Sequence, residues 1–186
     1  MFQFILTLLI IIIFCYLILK IFLDIFLEKT PFIPTKTETI SKLLETLEIQ
    51  DNDVVYDLGS GDGRFLFQAY QKNPHASYIG IEKKLIPFFL ARLKIILEKN
   101  KDKNIDQKIQ FYRKDLLSIN LSSASIIYCY LSPFLLQKLE NKFLKELKTG
   151  TKIISCDFPL KIKPPLTIIK LDSKSPLSRT IFIYQI

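Results

Sequence analysis

The sequence predicts an α/β fold: a doubly wound, seven-stranded, mostly parallel sheet with an antiparallel last strand, preceded by an N-terminal transmembrane helix. Three observations predict it. Beyond residue 50, apolar runs of strand length alternate with segments of helical period, the pattern of a parallel sheet covered on both faces. Three of the five glycines fall in "DLGSGDG", Asp57 to Gly63, directly after the first such run. The last two runs, "LTIIKL" and "RTIFIYQI", are separated only by "DSKSPLS", which has no room for a long helix, so they form a hairpin and reverse the final strand.

Taken in order, "FQFILTLLIIIIFCYLIL" (Phe2 to Leu19) is eighteen residues without a charge. A helix of that length spans roughly 27 Å, close to the hydrocarbon thickness of a bilayer. It lacks the basic start and small-residue cleavage site of a signal peptide, so the expectation is a transmembrane anchor over residues 1–29. Lys20, Lys29, Lys36 and Lys42 follow the span and none precedes it, which predicts a single-pass membrane protein with a cytoplasmic domain over residues 30–186. "TPFIPT" reads as an extended linker, and "TKTETISKLLETLEI" as an amphipathic helix with Ile40, Leu43, Leu44 and Leu47 on one face. Strands follow at "DVVYDL", "ASYIGIE", "KIQFYRKD", "SASIIYCYL" and "TKIISCDF". Helices are expected at "GRFLFQAYQK", "KLIPFFLARLKIILEKN" and "PFLLQKLENKFLKEL".

Composition narrows the function classes. Three scattered cysteines form no CxxC and no even disulfide framework, which points to a reducing compartment and core thiols at Cys129 and Cys156. One histidine, His75, cannot build a histidine metal site, so no metal is expected. The net charge of +8 is spread without basic clusters interleaved by aromatics, so no specific nucleic-acid partner is expected.

Glycines concentrated at a strand-to-helix turn bring backbone close to a ligand, where the helix N-terminus offers unpaired amides. In a doubly wound sheet this is the ligand-binding edge. There is no Gly-Lys-Ser/Thr, which excludes a P-loop, and GxGxG departs from the dinucleotide GxGxxG spacing. "YIGIE" ends the second strand at Glu82, where an acidic side chain can accept hydrogen bonds from both ribose hydroxyls of a nucleoside. The ligand read from these residues is adenosine-like, with a further moiety near the glycine turn.

"VVYDLGSGDGRF" resembles the first motif of class I S-adenosylmethionine-dependent methyltransferases, which have a Rossmann-like fold with this strand and helix order. The resemblance implies that Asp57, Gly59, Ser60, Gly61, Asp62 and Gly63 hold the methionine part of S-adenosylmethionine, Glu82 the ribose, and Asp115 in "YRKDLL" the adenine amino group. The wider arrangement, "PFIPT", "DLGSGDGR", "YLSP" and "CDFP" behind an apolar segment, is similar to membrane-anchored protein-lysine methyltransferases related to the ATP synthase c-subunit lysine methyltransferase. That resemblance places Pro34 and Thr35 over the cofactor; its members often carry Glu-Leu-Asn where this chain reads "IEKK".

The implied activity is methyl transfer to a nucleophile, a protein lysine amine first, with a membrane protein among the possible partners. A lipid headgroup or small molecule is the alternative acceptor, and a non-catalytic nucleotide-binding assembly factor the alternative class. Tyr130, Ser132, Pro133, Asp157 and Phe158 fall at the fourth and fifth strand ends, facing the expected methyl position. Tyr130 and Phe158 suit cation–π contact with a lysine ammonium, and equally suit plain strand-end packing.

Overall fold

The computed structural model describes residues 2–26, 34–171 and 179–186. The chain divides into two compact units, Met1–Ile33 and Pro34–Ile186. In the first, helix α1 spans Phe2–Phe26, and its described side chains, over 3–19, are all exposed. Among the described residues no helix is long and apolar enough to cross a membrane. This corrects the expected transmembrane anchor, and with it the single-pass location with a cytoplasmic domain. The linker residues 30–33 and the hairpin turn at 172–178 lie outside the described residues.

The second unit begins with α2 (Thr37–Thr46), shorter than the fifteen-residue helix expected. It ends where Leu47 turns extended, and Lys72 caps it, donating from Nζ to the carbonyls of Leu44 and, at 2.8 Å, Leu47. Lys72 belongs to the next helix, so the cap also docks the two helices together. The apolar stripe Ile40, Leu43 and Leu44 is buried beneath α2 as the sequence predicts.

Strands β1 (Val54–Leu58), β2 (Ser77–Ile81), β3 (Ile109–Tyr112), β4 (Ile126–Cys129), β5 (Lys152–Cys156), β6 (Thr167–Lys170) and β7 (Thr180–Gln185) form one seven-stranded sheet. Its order is β3-β2-β1-β4-β5-β7-β6. The first five run parallel, and β7 is antiparallel to both neighbours, as the closing hairpin predicts. Helices α3 (Arg64–Lys72), α4 (Leu85–Glu98) and α6 (Pro133–Glu146) match the expected segments, and the single turn α5 (Ile105–Lys108) was not anticipated.

Alternate strand residues feed two cores. Val55, Tyr78, Ile126, Tyr128, Ile154 and Ile181 face α2, α3 and α4. Tyr56, Leu58, Ile127, Cys129, Ile153 and Tyr184 face α6. Cys129 and Cys156 are buried, as expected of core thiols. His75 is exposed in the turn before β2.

Phe111 decides two glycines. A Cβ on Gly63 would lie 2.3 Å from its ring, and one on Gly80 also 2.3 Å. Gly63 further sits at φ 77°, a conformation disfavoured for L side chains. Gly80 has no such backbone demand; it is glycine to leave room for the ring. Overpacking costs about 1–3 kcal/mol, and at about 2–4 °C per kcal/mol Gly80→Ala should lower the melting temperature by roughly 2–12 °C. Phe111→Leu in the same chain should recover part of that loss in a thermal melt followed by circular dichroism.

Candidate active site

The C-terminal edge of the parallel strands gathers most of the expected residues in one row. In the order β3, β2, β1, β4, β5 these strands are followed or ended by Asp115, Glu82, Asp57, Tyr130 and Asp157. Parallel strands put all their carboxyl ends on one edge, which is why residues nearly a hundred positions apart meet there.

The glycine turn is pinned to β2. Gly59 and Ser60 donate their N–H groups to the Ile81 carbonyl at 2.9 and 3.0 Å. Gly61 donates to Glu82 Oε2 at 2.9 Å, while Lys84 N–H donates to Glu82 Oε1 at 2.7 Å. Both oxygens of a 7 % exposed carboxylate are thereby oriented by backbone amides, and an anion so held keeps further lone pairs for hydroxyl donors. The turn itself takes positive φ at Gly59, Gly61 and Gly63.

Asp57 ends inside this frame, 4 % exposed. Burial, then the negative charges of Glu82 and Asp62, push its carboxyl well above the ordinary value of 3.8. A buried carboxyl beside two others is destabilised as an anion until a cation arrives. Ser60 Oγ is buried with no hydrogen-bond partner among the described residues, a second polar group that the protein alone leaves unsatisfied. Buried acid, orphaned hydroxyl, side-chain-free turn and amide-held Glu82 together fit a ligand with a cationic end and a ribose.

Asp62, just ahead of Gly63 at the N-cap of α3, accepts from Arg64 N–H at 3.3 Å and chelates the Arg64 guanidinium, which donates from Nε at 3.0 Å and from Nη2 at 2.8 Å. Burial pushes Asp62 upward, but the Arg64 hydrogen bonds and charge hold it below 3.8. Arg64 also donates from Nη1 to the Thr35 carbonyl at 3.1 Å. Thr35, itself buried, shares a 2.7 Å hydrogen bond with the Tyr128 hydroxyl, and Tyr128 stacks on Phe65 at 4.1 Å. Burial raises the Tyr128 phenol well above 10, keeping it neutral. Thr35 is thus fixed beside the glycine turn by Arg64 and Tyr128, and Pro34 precedes it with its side chain exposed. Sequence reasoning missed both anchors: Arg64 had a signal, lying directly after the turn, whereas Tyr128 reads as an ordinary strand aromatic.

Asp115 is more exposed. Its Oδ1 accepts from Leu117 N–H at 3.0 Å, and its Oδ2 pairs with Lys83 at 3.1 Å; the backbone bond first and then Lys83 lower its carboxyl. It stands on the rim next to Glu82. Beyond β4, Ser132 is the N-cap residue of α6 and Pro133 its first residue. Tyr130 donates to Asp157 Oδ2 at 2.8 Å. Phe158 is not set opposite Tyr130: Tyr130 packs against the core under α2–α4, Phe158 against the core under α6.

A family model, the ANTKMT methyltransferase domain, matches residues 57–167, more than half of the chain. The chain belongs to this methyltransferase family. The "Protein-lysine N-methyltransferase" of Saccharolobus islandicus (strain REY15A) is 26% identical over 163 residues, 87% of this chain and 96% of that one. The human lysine N-methyltransferase named for the ATP synthase c-subunit is 29% identical over 129 residues, 69% of this chain but 52% of its own length. This methyltransferase thus spans about half the length of that relative. Among solved structures, an RNA methyltransferase from Salinibacter ruber in complex with S-adenosyl-L-homocysteine superposes with a TM-score of 0.72 at 28% identity, covering 83% of this chain and 94% of that one. S-adenosylmethionine is the methyl donor of the family.

The unpaired burial of Asp57 gives a signed expectation. Because its folded carboxyl holds a proton above pH 3.8, apo stability from this group is greatest at low pH and declines as pH rises through the folded value. Asp57→Asn should therefore raise apo thermal stability, flatten its decline as pH rises above 3.8, and weaken S-adenosylmethionine binding at least ~10-fold, the scale of a lost charge-assisted contact. Melts across pH with calorimetric titration of the same samples check all three.

Proposed function

We propose that this methyltransferase acts on the ε-amine of a lysine in a protein. The observation that carries the reading is the Tyr130–Asp157 pair, a phenol hydrogen-bonded to a carboxylate at 2.8 Å, at the ends of β4 and β5 beside the Asp57 end of β1. Such a pair suits a cationic or amine acceptor better than a neutral or anionic one. The Saccharolobus relative, which this chain matches over nearly its full length, carries a protein-lysine name, and this supports the same reading.

In this reading Asp57 and the 59–63 turn hold the amino-acid end of S-adenosylmethionine, Glu82 its ribose and Asp115 its adenine edge, while Pro34 and Thr35 wall the site. When bound, S-adenosylmethionine would supply an electrophilic methyl group to the amine lone pair, the S–C bonding pair staying on sulfur in S-adenosylhomocysteine. A lysine with an ordinary pKa near 10.4 must arrive neutral. Desolvation among Tyr130, Ser132, Pro133 and the strand ends lowers its pKa and releases the proton to solvent. The protein's part is otherwise to hold the amine in line at near-attack distance.

The full chain incubated with tritiated S-adenosylmethionine and protein, RNA and lipid fractions of its own cells should label protein, and acid hydrolysis should yield Nε-methyl-lysine. Label confined to RNA or to lipid would overturn the lysine assignment while leaving the methyltransferase intact.

A further inference from the structure

Asp157 is the only non-glycine residue at positive φ among the described residues, at 62°. Single residues held there cost roughly 1–3 kcal/mol, retained where the surroundings fix them. Here the fixation is visible. Asp157 N–H donates to the Thr180 carbonyl at 2.7 Å, and its Oδ1 accepts from Arg179 N–H at 2.7 Å and Thr180 N–H at 3.1 Å. Its Oδ2 accepts from the Tyr130 hydroxyl. One strained carboxylate thus ties the end of β4 to the start of β7 across β5, on the sheet edge where the family's chemistry takes place.

We propose that Asp157 is a positioning residue that acts through Tyr130: by accepting the hydrogen bond of the phenol O–H it turns that proton away and leaves the Tyr130 oxygen lone pairs as a hydrogen-bond acceptor toward the incoming amine. This rests on the lysine reading above. A neutral amine carries two N–H donors and one lone pair. With one N–H directed to the Tyr130 oxygen, rotation about the Cε–N bond is restricted and the lone pair can be held toward the methyl carbon. Asp157 is not the proton acceptor in this arrangement, because three donors already converge on its two oxygens. The proton leaves the lysine before attack, and Tyr130 orients the amine without removing a proton from it.

The geometry supplies a discriminating substitution. Asparagine tolerates positive φ better than other L residues, so Asp157→Asn keeps the backbone and lets its Oδ1 still accept from Arg179 and Thr180. Its Nδ2 then donates toward Tyr130, reversing that hydrogen bond and turning the phenol proton toward the amine. Tyr130→Phe removes the acceptor altogether.

Methyl transfer from tritiated S-adenosylmethionine to poly-L-lysine, measured on the full chain, tests the proposal, with cofactor Kd and melting temperature read on the same samples. Each single variant should lose ~10- to 100-fold in kcat, the scale of a hydrogen bond to a charged group, with cofactor Kd within about twofold of wild type. The double variant should be no slower than the worse single, because both changes remove one interaction. Losses that multiply in the double variant, or Asp157→Asn with wild-type kcat, would overturn the proposal alone. A wild-type chain that binds the cofactor yet labels no lysine would overturn the lysine reading and this inference with it. A melting temperature lowered as far by Asp157→Asn as by Asp157→Ala would assign Asp157 to structure alone.

Discussion

The hydrogen bond from Gly61 N–H to Glu82 at 2.9 Å is the constraint on which the site depends. It closes the glycine turn against β2, and the two amides that donate to the Ile81 carbonyl hold the turn on the same strand end. Pinned there, the turn leaves Asp57 enclosed with Glu82 and Asp62 as its electrostatic neighbours. Three carboxyl groups close together are unfavourable for the apo fold, and among the described residues only Asp62 of the three is ion-paired, with Arg64. The remaining negative charge is stored binding energy for a cationic ligand. That is the physical sense in which this edge of the sheet is preorganised for a cationic ligand, as the proposed placement of S-adenosylmethionine requires.

The same edge divides into two halves with different chemistry. The β1–β2–β3 side offers carboxylates and backbone amides, suited to a nucleoside with a charged tail. The β4–β5–β7 side offers a phenol, a strained aspartate and a helix cap, suited to orienting an acceptor. Arg64 and Tyr128 hold Thr35 beside the turn, so the segment entering the domain becomes part of the wall between the halves. Rigid strands supply the spacing, and the loops between their ends supply the chemistry.

Much of this was legible in the sequence because it rests on local rules. Strand–helix alternation, the Asp57–Gly63 turn, Glu82 at a strand end and the closing hairpin are all short-range signals, and each fell where expected. What escaped depends on long-range contacts. Lys72 shortens α2 by capping it from another helix, and Tyr128 becomes a site anchor only because Thr35 folds back onto it. Gly80 looks dispensable until Phe111 is seen to fill its Cβ position. Tyr130 and Phe158, both read as candidates for contact with a lysine ammonium, pack against different cores, a difference set by the chain's turn at Asp157 rather than by local sequence. The transmembrane expectation, drawn from an uncharged stretch of bilayer length and its flanking lysines, is the one part of the fold class that the structure corrects.

The most direct test of the account is calorimetric titration of S-adenosylhomocysteine into the full chain and into Glu82→Gln. Glutamine preserves size and one acceptor but removes the charge that Gly61 and Lys84 orient. The account predicts one site per chain in the wild type and at least ~10-fold weaker binding in the variant, with both proteins folded. Equal affinity in the two would contradict the claim that the amide-held carboxylate of Glu82 is the ribose grip, and with it the placement of the cofactor along this edge.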